Sequence, residues 1–211
     1  MIKDILNNLE NNFGKGQKKD NQIMINNLGL QKLLNKDLFY GKIIEIYGDA
    51  ASGKSTFLYH LLGELNRLTL FIDTEFQFDN KFIERYTDLN NLISCQANNS
   101  EIILDIIKKC VYINYINIIC IDSFTSINLE DSLSFFKEVE NIIKNSKILV
   151  IMTNQLRHNF RLRKAVAYGS KKQKNNYWIR LKTKKYKYND KFYILVHNKD
   201  IKSEDYTLEI K

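Results

Sequence analysis

The sequence predicts an α/β fold: a mainly parallel, twisted sheet with helices on both faces and antiparallel strands at its C-terminal side. Three observations predict it. Between Ile43 and Met152, apolar β-branched runs alternate with stretches of helical spacing, the pattern of strands buried on both faces and joined by helical crossovers. A glycine-bounded loop with the spacing G-x-x-x-x-G-K-S stands between the first such run and the first such helix. From Tyr177 onwards, apolar and polar residues alternate with many aromatics, the period-two pattern of antiparallel strands.

The run Ile43 to Tyr47 reads as a buried strand and feeds Gly48-Asp49-Ala50-Ala51-Ser52-Gly53-Lys54-Ser55, after which Thr56 to Leu62 has helical spacing. Strand, loop and helix N-terminus in this order aim successive backbone N–H groups, and the positive end of a helix, at phosphate oxygens. Lys54 is then expected on the β- and γ-phosphates, and the Ser55 hydroxyl on Mg2+.

Ahead of this stretch, Ile5, Leu6, Leu9 and Phe13 space out a short amphipathic helix, followed by a polar break from Gly14 to Asp20. Such a face at a chain end covers either its own core or a neighbouring subunit. Residues 1–28 are read as this helix and linker, an arm at a subunit interface, and 29–211 as the core, opening with a helix over Gly29 to Leu38.

Leu68 to Asp73 is the second strand and ends in Thr74-Glu75, which places a carboxylate at the edge where open α/β sheets bind ligands. Phe82 to Tyr86 is helical, Leu92 to Cys95 a short strand, and Ser100 is expected to cap the helix that carries Ile103, Ile107 and Val111. Ile116 to Ile121 ends in Asp122, the shape of a Walker B element whose acid holds a metal's hydration shell. An amphipathic helix from Leu129 to Ile143 leads to the strand Lys147 to Met152, which delivers Thr153-Asn154-Gln155-Leu156-Arg157 to the same edge. Tyr177 to Lys187, Phe192 to His197 and Tyr206 to Ile210 complete the sheet as antiparallel strands.

The 211 residues suit one domain, and no apolar run is long enough to cross a bilayer. The N-terminus has no signal-peptide pattern, and Cys95, Cys110 and Cys120 read as reduced core residues, so a cytoplasmic protein is expected. The net charge of +8 is unevenly placed: residues 157 to 191 hold 13 Lys/Arg against Asp190 alone, and the remainder of the chain is net acidic. Concentrated positive charge points to an anionic partner, with nucleic acid ahead of a merely solvated charged face.

Together these blocks resemble the bacterial RecA recombinase family. The resemblance runs from Leu6 to Ile210 through Phe13-Gly14-Lys15-Gly16, Glu45-Ile46-Tyr47-Gly48 with Ser52-Gly53-Lys54-Ser55, Phe71 to Glu75, Ile121-Asp122-Ser123, Thr153 to Arg157, Arg180-Leu181 and Val196 to Lys199. It implies a RecA-like P-loop NTPase core using ATP and Mg2+, with Gly48, Asp49, Ala50, Ala51, Ser52, Gly53, Lys54, Ser55 and Thr56 around the phosphates and Ser55 and Asp122 at the metal. It further implies that Glu75 activates the attacking water, that Gln155 senses the γ-phosphate, and that Phe82 lies beside the adenine, although core packing explains Phe82 as well. Lys199 matches one of two lysines that reach a neighbouring subunit's ATP; His197 stands at the other position. The second DNA-binding loop corresponds to about Arg157 to Lys174, with Arg161, Arg163, Lys164, Gly169, Lys171 and Lys172 among its contacts to single-stranded DNA, on a homo-oligomer or filament.

Three departures temper this reading: the interval from Asp122 to Asn154 is short enough to drop the first DNA loop, Asn175 and Asn176 stand at aromatic positions beyond a single Gly169, and no counterpart of the C-terminal domain is expected. The leading expectation is an ATP-dependent DNA-binding recombinase-like ATPase; the alternative is a reduced paralogue acting as a nucleotide-gated adaptor without strand exchange. An ATPase of the related circadian or helicase branches, acting on protein or RNA, is disfavoured by Phe13-Gly14-Lys15-Gly16.

Overall fold

The strand Ile43–Gly48 (β1) is the interior strand from which the phosphate loop departs. In the computed structural model, residues 23–34, 38, 40–128, 132–159, 164–167, 178–200 and 204–210 are described; the expected N-terminal helix lies outside them. Around β1 stand Thr69–Asp73 (β2), Leu92–Gln96 (β3), Ile118–Asp122 (β4), Leu149–Asn159 (β5), Lys164–Ala167 (β6), Trp178–Tyr188 (β7), Lys191–Asn198 (β8) and Tyr206–Glu209 (β9). The sheet order is β3-β2-β4-β5-β1-β7-β8-β9, with β6 paired to β5.

From β3 to β7 every neighbouring pair is parallel, and the strand ends Asp73, Asp122 and Gly48 therefore share one edge. β1, β2 and nearly all of β4 are buried on both faces, which explains their unbroken apolar runs. On one face, Ser100–Ile113 (α4) and Ser132–Ile143 (α5) bury Ile103, Ile107, Phe135 and Val139 against Ile43, Ile72, Ile121 and Met152. On the other, Leu28–Leu33 (α1) and Lys54–Leu65 (α2) bury Leu30, Phe57 and Leu61 against Ile44, Ile46 and Ile151. Asn80–Ile83 (α3) is a single turn beside the ligand edge.

Four sequence expectations are corrected. The helix expected from Gly29 begins at Leu28 and ends at Leu33, capped by the Asn27 side chain, which accepts from the Gly29 and Leu30 N–H groups. The cap of α4 is Asn99, not Ser100: its carboxamide oxygen accepts from the Glu101 and Ile102 amides at 2.9 and 3.1 Å, leaving Ser100 as the first helical residue. β7 is antiparallel to β8 but parallel to β1. The turn at Asn189 and Asp190, both left-handed, imposes only the first relation; packing against β1 imposes the second. The basic stretch 157–174 is in part a hairpin, in which Leu156 to Asn159 pair antiparallel with Lys164 to Ala167. Pairing gives the backbone groups of a segment that has left the main sheet their hydrogen bonds.

Candidate functional site

The loop between β1 and α2 is shaped by two close approaches. A Cβ on Gly48 would lie 2.4 Å from the Ser52 hydroxyl and 2.7 Å from the Thr183 carbonyl, and one on Gly53, at φ 87°, 2.5 Å from Ile194. Ser52 is buried and its hydroxyl lies 2.9 Å from that of Thr183, which pins the loop to β7. The Lys54 ammonium donates to the Asp49 carbonyl at 2.8 Å. Burial pushes its pKa down, opposed by the negative charges of Asp122, Glu75 and Asp49.

Beside the loop opens a cleft of about 260 Å³ lined by Ser55, Asp122, Glu75, Asp73 and an aromatic wall of Tyr59, Phe71, Phe78 and Phe82. The wall is built by packing across three elements: Tyr59 sits 5.9 Å from both Phe71 and Phe82, and Phe71 5.1 Å from Phe78. Phe82 thus lines the cleft while packing against Tyr59. Asp73 shapes the cleft through the backbone, its two oxygens accepting from the Glu75 and Phe78 amides at 3.1 and 2.9 Å.

Asp122 accepts from the Thr153 and Ser55 hydroxyls. Burial raises its pKa; those two hydroxyls pull it down, and Glu75 and Asp73 push it up again. Glu75 is held by Ser123 and Ser126, whose hydroxyls donate to its Oε1 at 2.5 and 3.0 Å. Both serines belong to the turn after β4, a 3-10 helix at Phe124–Ser126. The Thr125 hydroxyl of that turn accepts from the Gln155 N–H at 2.9 Å. Gln155 is the register partner of Gly48, and one residue later β5 begins to pair with β6. Glu75, Asp122, Ser55 and Gln155 therefore converge around one turn and one loop.

The donor set fits a hard cation. Among the described residues no cluster of three or more His, Cys, Asp or Glu could hold a metal by itself. A hydroxyl and a carboxylate at the foot of a phosphate loop suit Mg2+, which keeps waters and takes other ligands from phosphate.

Lys199 is not brought to this cleft in its own chain. Its N–H donates to the Arg180 carbonyl at 2.9 Å, and the register sets it near the level of Glu45, two strands from β1. His197 pairs with Asp205. Of the basic residues, Arg157 lies on β5 and Lys164 on β6, whereas Arg161, Arg163, Gly169, Lys171, Lys172 and Lys174 lie outside the described residues.

Reading the sequence for function gave no role to Asp73, Thr125, Thr153, Tyr59, Glu45 or Arg180, although Thr153 was placed at the ligand edge. The polar residue next to each strand-end acid or amide was the only available signal. Glu45 is fully buried in mid-β1, where its Oε1 accepts from Asn154 Nδ2 at 2.7 Å and its Oε2 from Arg180 Nε at 2.8 Å.

A strand running into a glycine-bounded loop, with an acid at the end of the parallel strand two places away and a second acid following the strand beyond that, defines a phosphate-loop α/β core. Residues 1–135 match the RecA N-terminal domain family, so the chain belongs to the RecA family. It is 30% identical over 194 residues to Protein RecA of Mycoplasma mycoides subsp. mycoides SC, covering 74% of this chain and 54% of that protein. It is 28% identical over 196 residues to Protein RecA of Crocosphaera subtropica, covering 79% and 55%. The chain spans about half the length of the curated relatives it matches. Among the described residues no helix is long and apolar enough to cross a membrane.

Proposed function

We propose that this protein is an ATP-dependent, DNA-binding recombinase-like ATPase of homologous recombination and repair, acting in the cytoplasm. The observation that carries the reading is the meeting of Glu75, Asp122 and Ser55 in one cleft, with Gln155 held one residue before β5 departs into the basic hairpin. ATP binds with its phosphates on the loop Gly48 to Thr56 and its base towards Tyr59 and Phe82. Lys54 takes the β- and γ-phosphates, and Ser55 and Asp122 would hold Mg2+, which would supply charge neutralisation to the transferring phosphoryl group. Glu75, oriented by Ser123 and Ser126, accepts the proton of the attacking water.

Because Lys199 is remote from its own cleft, its contribution comes from a neighbouring subunit, which makes the active form a homo-oligomer or filament. Arg157 to Lys174 track single-stranded DNA through its phosphates. Lys54→Ala is expected to abolish ATP-dependent DNA binding. Removing the charges at Arg161, Arg163 and Lys164 should flatten the salt dependence of binding by about 0.7 in log–log slope per lost phosphate contact. An unchanged slope removes the DNA role of this segment.

The pairing of His197 with Asp205 favours a second reading, in which the protein is a nucleotide-gated adaptor with slow turnover. Joint-molecule formation by the purified protein alone excludes that reading, and its absence alongside ATP-dependent DNA binding selects it.

A further inference from the structure

The least expected group in the core is a carboxylate. Glu45 is 0% exposed in the strand that leads into the phosphate loop, and neither of its oxygens is idle. Both partners lie on strands adjacent to β1, Arg180 on β7 directly opposite Glu45 and Asn154 on β5 opposite Tyr47. The Arg180 guanidinium also lies over the Tyr47 ring, 5.0 Å from its centroid, so the pair is clamped against the strand residue immediately before Gly48.

The contacts continue in both directions. Asn154 Oδ1 accepts from the Thr125 hydroxyl at 3.3 Å, and that hydroxyl accepts in turn from the Gln155 N–H. Thr125 lies in the turn whose flanking serines hold Glu75. On the far side, the Arg180 N–H donates to Asp200 Oδ2 at 2.7 Å and its carbonyl accepts from the Lys199 N–H. One polar chain therefore runs from the segment carrying Lys199, beneath the phosphate loop, to Gln155 and the Glu75 clamp.

A buried ion pair is a costly way to fill a core, since apolar side chains of similar volume often do as well or better for stability. Its distinguishing property is directional: the Arg180 guanidinium fixes the Glu45 carboxylate, which accepts from Asn154 and so holds that amide in one orientation, where an aliphatic contact would tolerate several. We propose that Glu45 and Arg180 are positioning residues that carry nucleotide occupancy of the loop to Asn154 and Gln155, and so to the base of the β5–β6 hairpin. The inference rests on the nucleotide-binding reading above. Neither residue touches the nucleotide; both act by fixing the orientation of Asn154.

The test is hydrogen exchange at the Thr153 to Leu156 amides, with and without a non-hydrolysable ATP analogue and Mg2+, read beside analogue affinity and urea stability. In the unaltered protein the analogue should slow exchange at these amides at least about tenfold, within the span of ordinary coupling energies. The double variant Glu45→Met/Arg180→Met replaces the pair with apolar chains. It should retain folding and analogue affinity while losing the slowing, a split that a purely structural role does not produce. Should the double variant not fold, Arg180→Lys keeps the charge but loses the planar fork, and is expected to show the same selective loss to a smaller degree. Full slowing in a folded double variant, or in Arg180→Lys where the double variant does not fold, overturns the inference and leaves the proposed function standing. Failure of the unaltered protein to bind the analogue overturns both.

Discussion

Two carboxylates of this sheet, the fully buried Glu45 and the half-buried Asp122, differ in what meets them. Glu45, in the middle of β1, is closed on both oxygens by nitrogen donors, one of them the Arg180 guanidinium. Asp122, at the C-terminal end of β4, receives neutral hydroxyls from Thr153 and Ser55 and has the acids Glu75 and Asp73 for neighbours. A guanidinium neutralises the charge it binds; a hydroxyl orients a carboxylate and leaves its charge to be matched by something else. Burial alone therefore does not mark the acid at a reactive centre. The kind of partner does, and by that criterion Asp122 is open to a cation while Glu45 is committed to Asn154 and Arg180.

The largest effect belongs to the open carboxylate. Asp122→Asn should lower Mg2+-dependent ATP hydrolysis by about a hundredfold or more, the loss that follows removal of one electrostatic group at a phosphoryl centre. The same change should raise the thermal midpoint. Because burial raises the folded carboxyl's pKa, this group favours folding below its unfolded pKa and loses that contribution as pH rises through the folded value. The gain from Asn is accordingly present at neutral pH and absent in acid. A lower midpoint at neutral pH breaks the distinction between the two acids.

Arg180→Met tests the closed one. It strands a buried charge and should cost about 3–5 kcal/mol in urea unfolding, most of it recovered when Glu45→Met is added. Recovery of none would mean that the two side chains do not act as a pair. A smaller effect is expected of Thr153→Val, which removes a hydroxyl from Asp122. It should cost about 1 kcal/mol of stability. It should also move the acid limb of Mg2+-dependent nucleotide binding to higher pH, because the lost hydroxyl held the carboxyl pKa down. The comparison is sharpened by the exposed pair of Lys108 with Glu138, also at 2.8 Å. Lys108→Ala should leave the urea midpoint unmoved, since solvent screens what the core does not.

The parallel half of the fold was legible residue by residue. Ile43 to Tyr47, Leu68 to Asp73 and Ile116 to Asp122 lie within one or two residues of observed strands, because strands buried on both faces must be apolar without interruption. Ser55, Glu75 and Asp122 were legible as the polar residues that end or follow such runs, and the structure brings them into one cleft. Less legible was anything that depended on a partner distant in the chain. The Asn99 cap was missed because Asn99 and Ser100 both suit the position, and only the backbone at Asn99 turns its side chain onto the helix amides. The direction of β7 relative to β1 was missed because a two-residue turn reports on β8 alone.

The chain's order of residues, by itself, determined the alternation of strand and helix, the phosphate loop and the edge at which its acids gather, since each of these follows from local periodicity and short spacing. Only the tertiary structure decided that Glu45 is met by Asn154 and Arg180, that Asp122 is met by Thr153, and that one turn at Thr125 touches both Gln155 and the residues holding Glu75. Those pairings join residues 30 to 135 positions apart in the chain, and a carboxylate's chemistry is decided by what stands around it in space.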